Sequence, residues 1–153
     1  MESLHKKWME LALSEASSAA KMGEVPVGAV IVRNGEVIAT AHNLCEANHA
    51  ATAHAELLAI EQACNKLGSW RLSDCTLYVT LEPCPMCAGA IINARIPKIV
   101  FGAKDPRAGA CGSLINLPAY PLESRPDVES GIMELEAQAL LRSFFEEMRK
   151  KKQ

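Results

Sequence analysis

The run Thr76-Leu77-Tyr78-Val79-Thr80-Leu81 leads directly into Pro83-Cys84-Pro85-Met86-Cys87, and that junction leaves the backbone few choices. β-Branched and aromatic residues favour a strand over 76–81. Proline lacks an amide hydrogen and has a fixed φ, so a helix tolerates it only in the first turn. The chain is therefore expected to pass from strand to helix at Pro83, with Cys84 and Cys87 three residues apart on one helix face. A second helix is predicted with Thr52 as its N-cap, running through the apolar positions Leu57, Leu58, Ile60 and Ala63. That assignment puts His54 and Glu56 in its first turn.

One imidazole and two thiols carried by two helix N-termini have the composition of a catalytic zinc site. Three nitrogen and sulfur donors leave one tetrahedral position for water, whereas a structural site fills all four with protein. Glu56 would stand beside the open position, and the positive ends of the helices favour thiolates and an ionised carboxylate. Cys84-x-x-Cys87 between a strand and a helix also resembles a redox pair, but such a pair has no use for His54 and Glu56. A purely structural zinc clip would need Cys75 or Cys111 as its fourth ligand.

The remaining pattern predicts an α/β chain. Leu4, Trp8, Leu11 and Ala12 recur at helical spacing, giving an amphipathic helix over about 4–22 that ends at Gly23. Strands are expected at Val25–Val32 and Glu36–Ala41 around an Asn34-Gly35 turn, then at Lys98–Gly102 after the Pro83 helix. Glycines and prolines mark an irregular stretch over about 104–127, followed by a short strand at Asp127–Ser130 and a helix over about 133–150. This order implies a central mixed sheet with helices on both faces. With 153 residues, 49% of them hydrophobic, the chain is expected to be one domain over 1–153. It has no apolar run near eighteen residues and no charged-then-apolar leader, which predicts a cytoplasmic protein without membrane association. The six cysteines are then expected to stay reduced, with Cys45, Cys64, Cys75 and Cys111 as small core or near-surface residues.

His54-x-Glu56 followed by Pro83-Cys84-x-x-Cys87 resembles the zinc deaminase signature. Pro26-Val27-Gly28-Ala29-Val30, Thr52-Ala53-His54-Ala55-Glu56, Tyr78 to Cys84 and Phe101-Gly102-Ala103-Lys104-Asp105 are similar to the bacterial tRNA-specific adenosine deaminases. These form a branch of the cytidine/deoxycytidylate deaminase superfamily, and Gly109-Ala110-x-Gly112-Ser113 extends the similarity. The resemblance implies a cytidine deaminase-like three-layer α/β/α sandwich with a central mixed five-stranded sheet. It implies one zinc per subunit on His54, Cys84 and Cys87, with Glu56 as the proton carrier. The implied reaction is hydrolysis of the wobble adenosine in the anticodon stem-loop of an arginine tRNA to inosine, by a homodimer. Asn43 would orient base and ribose, the Ala55 amide would bond the attacking oxygen, and Val27, Asp105, Arg107 and Arg149 would contact the substrate.

Two departures stand out. Ala50-Ala51 replaces the Asp-Pro usual in the family before Thr52, and the tail after Phe144-Phe145 turns basic later than is common. The net charge of −2 gives no global sign of nucleic-acid binding, so phosphate contacts would come from local patches. The residues expected there are Arg95, Lys98, Lys104 and Arg107, with Arg142 and Arg149 to Lys152 in the tail. Phe144 and Phe145 would stack near the pocket or pack in the core. The small residues of Ala88-Gly89-Ala90-Ile91-Ile92 suit either a dimer contact or burial. A free-base deaminase acting on guanine or cytosine shares the zinc motif. A zinc-stabilised RNA-binding module without catalysis is a third reading.

Overall fold

The computed structural model describes residues 2–152. Strands β1 (Gly28–Arg33) and β2 (Glu36–His42) form an antiparallel hairpin. Its turn residues Asn34 and Gly35 both take positive φ, at 51° and 74°, in keeping with the right-handed twist of the strands they join. Strand β3 (Cys75–Leu81) is antiparallel to β1, whereas β4 (Lys98–Ala103) and β5 (Asp127–Glu129) continue the sheet in parallel. The spatial order is β2-β1-β3-β4-β5, the mixed five-stranded sheet expected from the sequence.

Both faces of the sheet are covered. Alternation along the strands sends Val30, Tyr78 and Val100 to one side, where they pack with Trp8, Met9 and Ala12 of helix α1 (Glu2–Lys21) and Ala137 of the last helix (Glu134–Lys151). Ile31, Leu77, Val79 and Ile99 face the other side, against Ala55, Ala59, Ala88 and Ile91 of the two middle helices, Ala55–Leu67 and Pro85–Asn93. Burial on both faces explains why these strands read as almost unbroken apolar runs. On the first face a buried polar link crosses the layers. His5 pairs with the Tyr78 hydroxyl at 2.7 Å and lies 3.1 Å from the Glu129 carboxylate. Burial, with Glu129 nearby, pushes the Tyr78 phenol up to about 12. Among the described residues no helix is long and apolar enough to cross a membrane.

Several boundaries differ from the expectation. β1 starts at Gly28, not Val25, because Pro26 has no N–H to give a ladder and the Val27 N–H turns back to the Val25 carbonyl at 2.8 Å. A single helical turn, α2 (Cys45–Asn48), was not foreseen. Its first-turn amides of Glu46 and Ala47 donate to the buried Glu24 carboxylate at 3.0 and 2.7 Å, so its cap comes from 22 and 23 residues upstream. Helix α3 begins at Ala55 with His54 as its N-cap, two residues later than Thr52 would place it. The cause is a pair of turns, Ala53 N–H to Ala50 O and His54 N–H to Thr52 O, that hold the preceding chain out of helix. Helix α4 begins at Pro85 with Cys84 as its N-cap, leaving Pro83 outside. The 104–127 segment is irregular apart from a 3₁₀ turn at Leu117–Ala119, and α5 begins at Glu134 after Met133, which has φ 56°.

Gly28 sets the distance between α1 and the sheet. A Cβ placed there would lie 1.9 Å from the Ala12 carbonyl oxygen, so the helix rests directly on the strand backbone. Gly28→Ala should therefore cost about 3 kcal/mol through overpacking, read as a loss of unfolding free energy in denaturant melts. An unchanged midpoint would show that α1 can lift away freely.

Candidate active site

The two N-caps meet at the C-terminal end of β3. His54 caps α3, Cys84 caps α4, and Cys87 lies one turn into α4. Nδ1 of His54 lies 3.6 Å from the Cys84 sulfur and 3.4 Å from the Cys87 sulfur, and all three donor atoms fall within 4.8 Å of one another. Nitrogen and sulfur ligands at ordinary zinc distances in a tetrahedron stand about 3.6 Å apart. The donor set thus fits a zinc-sized dication without rearrangement. Among the described residues this is the group that could hold a metal, and neither Cys75 nor Cys111, both buried, joins it. With three protein donors, the arrangement is of the open kind.

Charge in the cluster is unevenly shared. The Cys87 thiol donates to Cys84, and with His54 it holds the Cys84 thiolate well below the usual thiol range. That same bond, with burial, pushes Cys87 up. The hydrogen bond to Cys84 raises His54. Glu56 is in the first turn of α3, almost wholly buried, and its carboxyl is pushed up to about 7, chiefly by loss of hydration. A carboxyl that titrates near neutrality can both accept and release a proton at working pH.

A cavity of about 490 Å³ opens over the cluster, lined by His54, Glu56 and Cys84 together with Asn43, Val27 and Asp105. Arg107 and Arg149 are not in that cavity. They line an adjoining hollow of about 320 Å³ whose other residues, Phe145, Met148 and Lys152, belong to both spaces. Phe144 is buried and Phe145 exposed at the cavity edge, with their rings edge to face at 5.3 Å.

The expected role of the Ala55 amide needs correction, because that N–H donates to Asn43 Oδ1 at 3.0 Å and the residue is fully buried. Asn43 is thereby fixed with its oxygen engaged, and its amide nitrogen remains as the donor for a ligand. Where Asp-Pro is replaced by Ala50-Ala51, the loop keeps its register through backbone bonds, Ala50 N–H to Cys45 O and Leu44 N–H to Ala53 O. The basic segment divides. Arg95 lies over Trp70 and pairs with Glu123, and Lys98 begins β4, at the strand end opposite the cysteines. Lys104 borders a different hollow. In α4, Ala88, Ile91 and Ile92 are buried in the protein's own core, while Gly89 faces open space.

Glu24, Cys45, Glu46, Glu82 and Met148 also line the cavity, and sequence reasoning missed them, whereas Lys152, expected in the basic tail, lines it as well. The signal for two of them was present. Glu24 and Glu82 are single acids set beside Val25-Pro26-Val27 and Leu81, where a buried charge must find donors.

The sequence model of the MafB19-like deaminases matches residues 3–149. A solved structure from work on A-to-I editing by tRNA:A34 deaminases at the wobble position of transfer RNA superimposes with a TM-score of 0.86. It is 48% identical and covers 88% of this chain and 99% of its own. The guanine deaminase of Nitrosomonas europaea superimposes with a TM-score of 0.77 at 26% identity, over 91% of this chain and 83% of its own. Fold and site together define a deaminase. The tRNA-specific adenosine deaminase of Bacillus subtilis is 53% identical over 95% of this chain and 91% of its own length. The chain belongs to the tRNA-specific adenosine deaminase family.

Burial of Glu56 also has a thermodynamic signature. Its pKa is higher in the folded chain than the ordinary 4.5, so the folded state is penalised for ionising it. That penalty is absent below about 4.5 and grows as pH rises through about 7. In protein stripped of metal, Glu56→Gln should therefore be more stable than the parent at pH 8 by about 1–3 kcal/mol, the gap closing toward pH 4.5. Melts at both pH values decide it, and a gap independent of pH would contradict the assignment.

Proposed function

We propose that this protein hydrolytically deaminates the wobble adenosine of an arginine tRNA to inosine. The observation that carries the reading is the pairing of two spaces: a cavity with Glu56 and the His54, Cys84, Cys87 group at its base, and beside it a hollow bearing Arg107 and Arg149. A base swung out of an anticodon loop would fill the first while its flanking phosphates met the second.

His54, Cys84 and Cys87 would hold one zinc per subunit, and zinc when bound supplies a water acidified toward neutral pH. Glu56 moves the protons. It accepts one as oxygen attacks C6 and delivers it to N1 of the purine, then takes the second proton from the new C6 hydroxyl and passes it to the amine, which leaves as ammonia as the C6–N bond breaks. Adenosine and water thus become inosine and ammonia. Asn43 orients base and ribose through its amide nitrogen, since its oxygen is held by Ala55. Val27 gives the purine an apolar wall, and Asp105 borders the base on the loop side. Phe145, exposed at the shared edge, offers a stacking face to a neighbouring base.

We further read residues 1–153 as one cytoplasmic domain that works as a homodimer, supported by the family membership. The open space at Gly89 allows a second subunit to approach α4 closely. The likeness to a guanine deaminase favours one second reading, a free-base deaminase.

Incubation of zinc-loaded protein with an arginine tRNA transcript should convert the wobble adenosine, read as guanosine after reverse transcription. Ammonia from free guanine with no tRNA conversion would move the protein to the free-base reading. Glu56→Ala with zinc retained should lower inosine formation by roughly 10³-fold or more, and persistent turnover would remove Glu56 from the chemistry. Arg107→Ala and Arg149→Ala should each weaken tRNA binding and reduce the slope of log affinity against log salt by about one, measured by filter binding across a salt series. An unchanged slope would take that arginine off the phosphate backbone.

A further inference from the structure

Glu82 is a buried carboxylate without a cation: among the described residues no lysine, arginine or histidine lies within ion-pairing distance of it. Its partners all come from one loop. Oε1 accepts the Asp105 N–H at 3.0 Å and the Ser113 hydroxyl, while Oε2 accepts the N–H groups of Cys111 and Ser113, each at 3.0 Å. Each oxygen thus has both lone-pair directions occupied. Glu82 borders the cavity, yet it has no acceptor site left for a ligand.

The loop is shaped to reach this carboxylate. Gly109 crosses so close that a Cβ would lie 2.4 Å from the Glu82 carboxyl carbon and 2.5 Å from Oε2. Backbone bonds flank the anchor, Glu82 N–H to Ala103 O at 2.9 Å and Ala110 N–H to Pro83 O at 2.8 Å. Beyond it residues 112–116 are exposed and have little packing of their own. Asp105, whose own N–H goes to Glu82, uses its side chain to accept the N–H groups of Arg107 and Ala108 at 3.0 and 3.2 Å. A chain of bonds therefore runs from Glu82 through Asp105 to the turn that presents Arg107.

We propose that Glu82 is a positioning residue, the anchor that holds the 104–113 loop so that Asp105 stands at the cavity and Arg107 at the adjoining hollow. The consequence for substrate rests on the tRNA reading above, whereas the anchoring does not. Glu82→Gln tests it sharply, because the isosteric amide turns one acceptor into a donor facing N–H groups. Zinc-loaded wild type, Glu82→Gln and Ser113→Ala would be compared for zinc content, for hydrogen exchange by mass spectrometry and for kinetics on an anticodon stem-loop.

With zinc retained, Glu82→Gln should speed exchange in 104–114 by about tenfold or more while α3 and α4 stay protected. It should also raise KM by about tenfold with kcat within about threefold. Ser113→Ala should shift both in the same direction by less, and it carries the test if Glu82→Gln does not fold. Unchanged loop exchange overturns the proposal, as does a collapse of kcat with normal exchange and KM, which would make Glu82 a chemical participant. A wild type that leaves the stem-loop unconverted rejects the tRNA reading, and the exchange comparison then decides the anchoring alone.

Discussion

Everything at the site depends on two helices starting at one place. An N-cap is half outside its helix, with extended φ and ψ, so its side chain projects past the helix end rather than along its flank. His54 and Cys84 both occupy such positions, and the first-turn residues Glu56 and Cys87 follow them. Four chemically active side chains thus converge without any loop having to hold them individually. The positive ends of both helix dipoles lie where thiolate and carboxylate need them. The sheet fixes the convergence, since β3 delivers α4 directly and α3 packs on the same face.

How far the sequence revealed this depended on whether the deciding contacts were local. The strand-to-helix junction at Pro83 was legible because proline chemistry acts within a residue or two. The start of α3 was misplaced at Thr52 because the turns over 50–54 are bound to Leu44 and Cys45, which no helix pattern records. α2 escaped notice for a similar reason: its amides are capped by Glu24, far upstream in the chain. The donor residues were readable from type and spacing. Their second-layer partners were not, and the Ala55 amide was assigned outward when Asn43 had already claimed it.

Charge in the sequence was the least reliable guide. Arg95 and Lys98 lie close to Arg107 in number, but β4 carries the chain across the whole sheet between them. Arg107 instead joins Arg149 and Lys152 from the far end of the chain. A basic cluster read along the chain thus dissolved, and another formed between segments that the sequence kept apart.

The acids and bases around the opening are also sorted by depth. Glu24, Glu46, Glu82 and Asp105 border the inner cavity, where Lys152 is the lone lysine or arginine among the described residues, while Arg107 and Arg149 stand outside it. The adjoining hollow carries Arg107, Arg149 and Lys152 and, among the described residues, no acid, so it is the side of the opening suited to phosphate. On the proposed reading, a strand's phosphates would find their counter-charges outside the cavity, and the reacting base alone would need to enter.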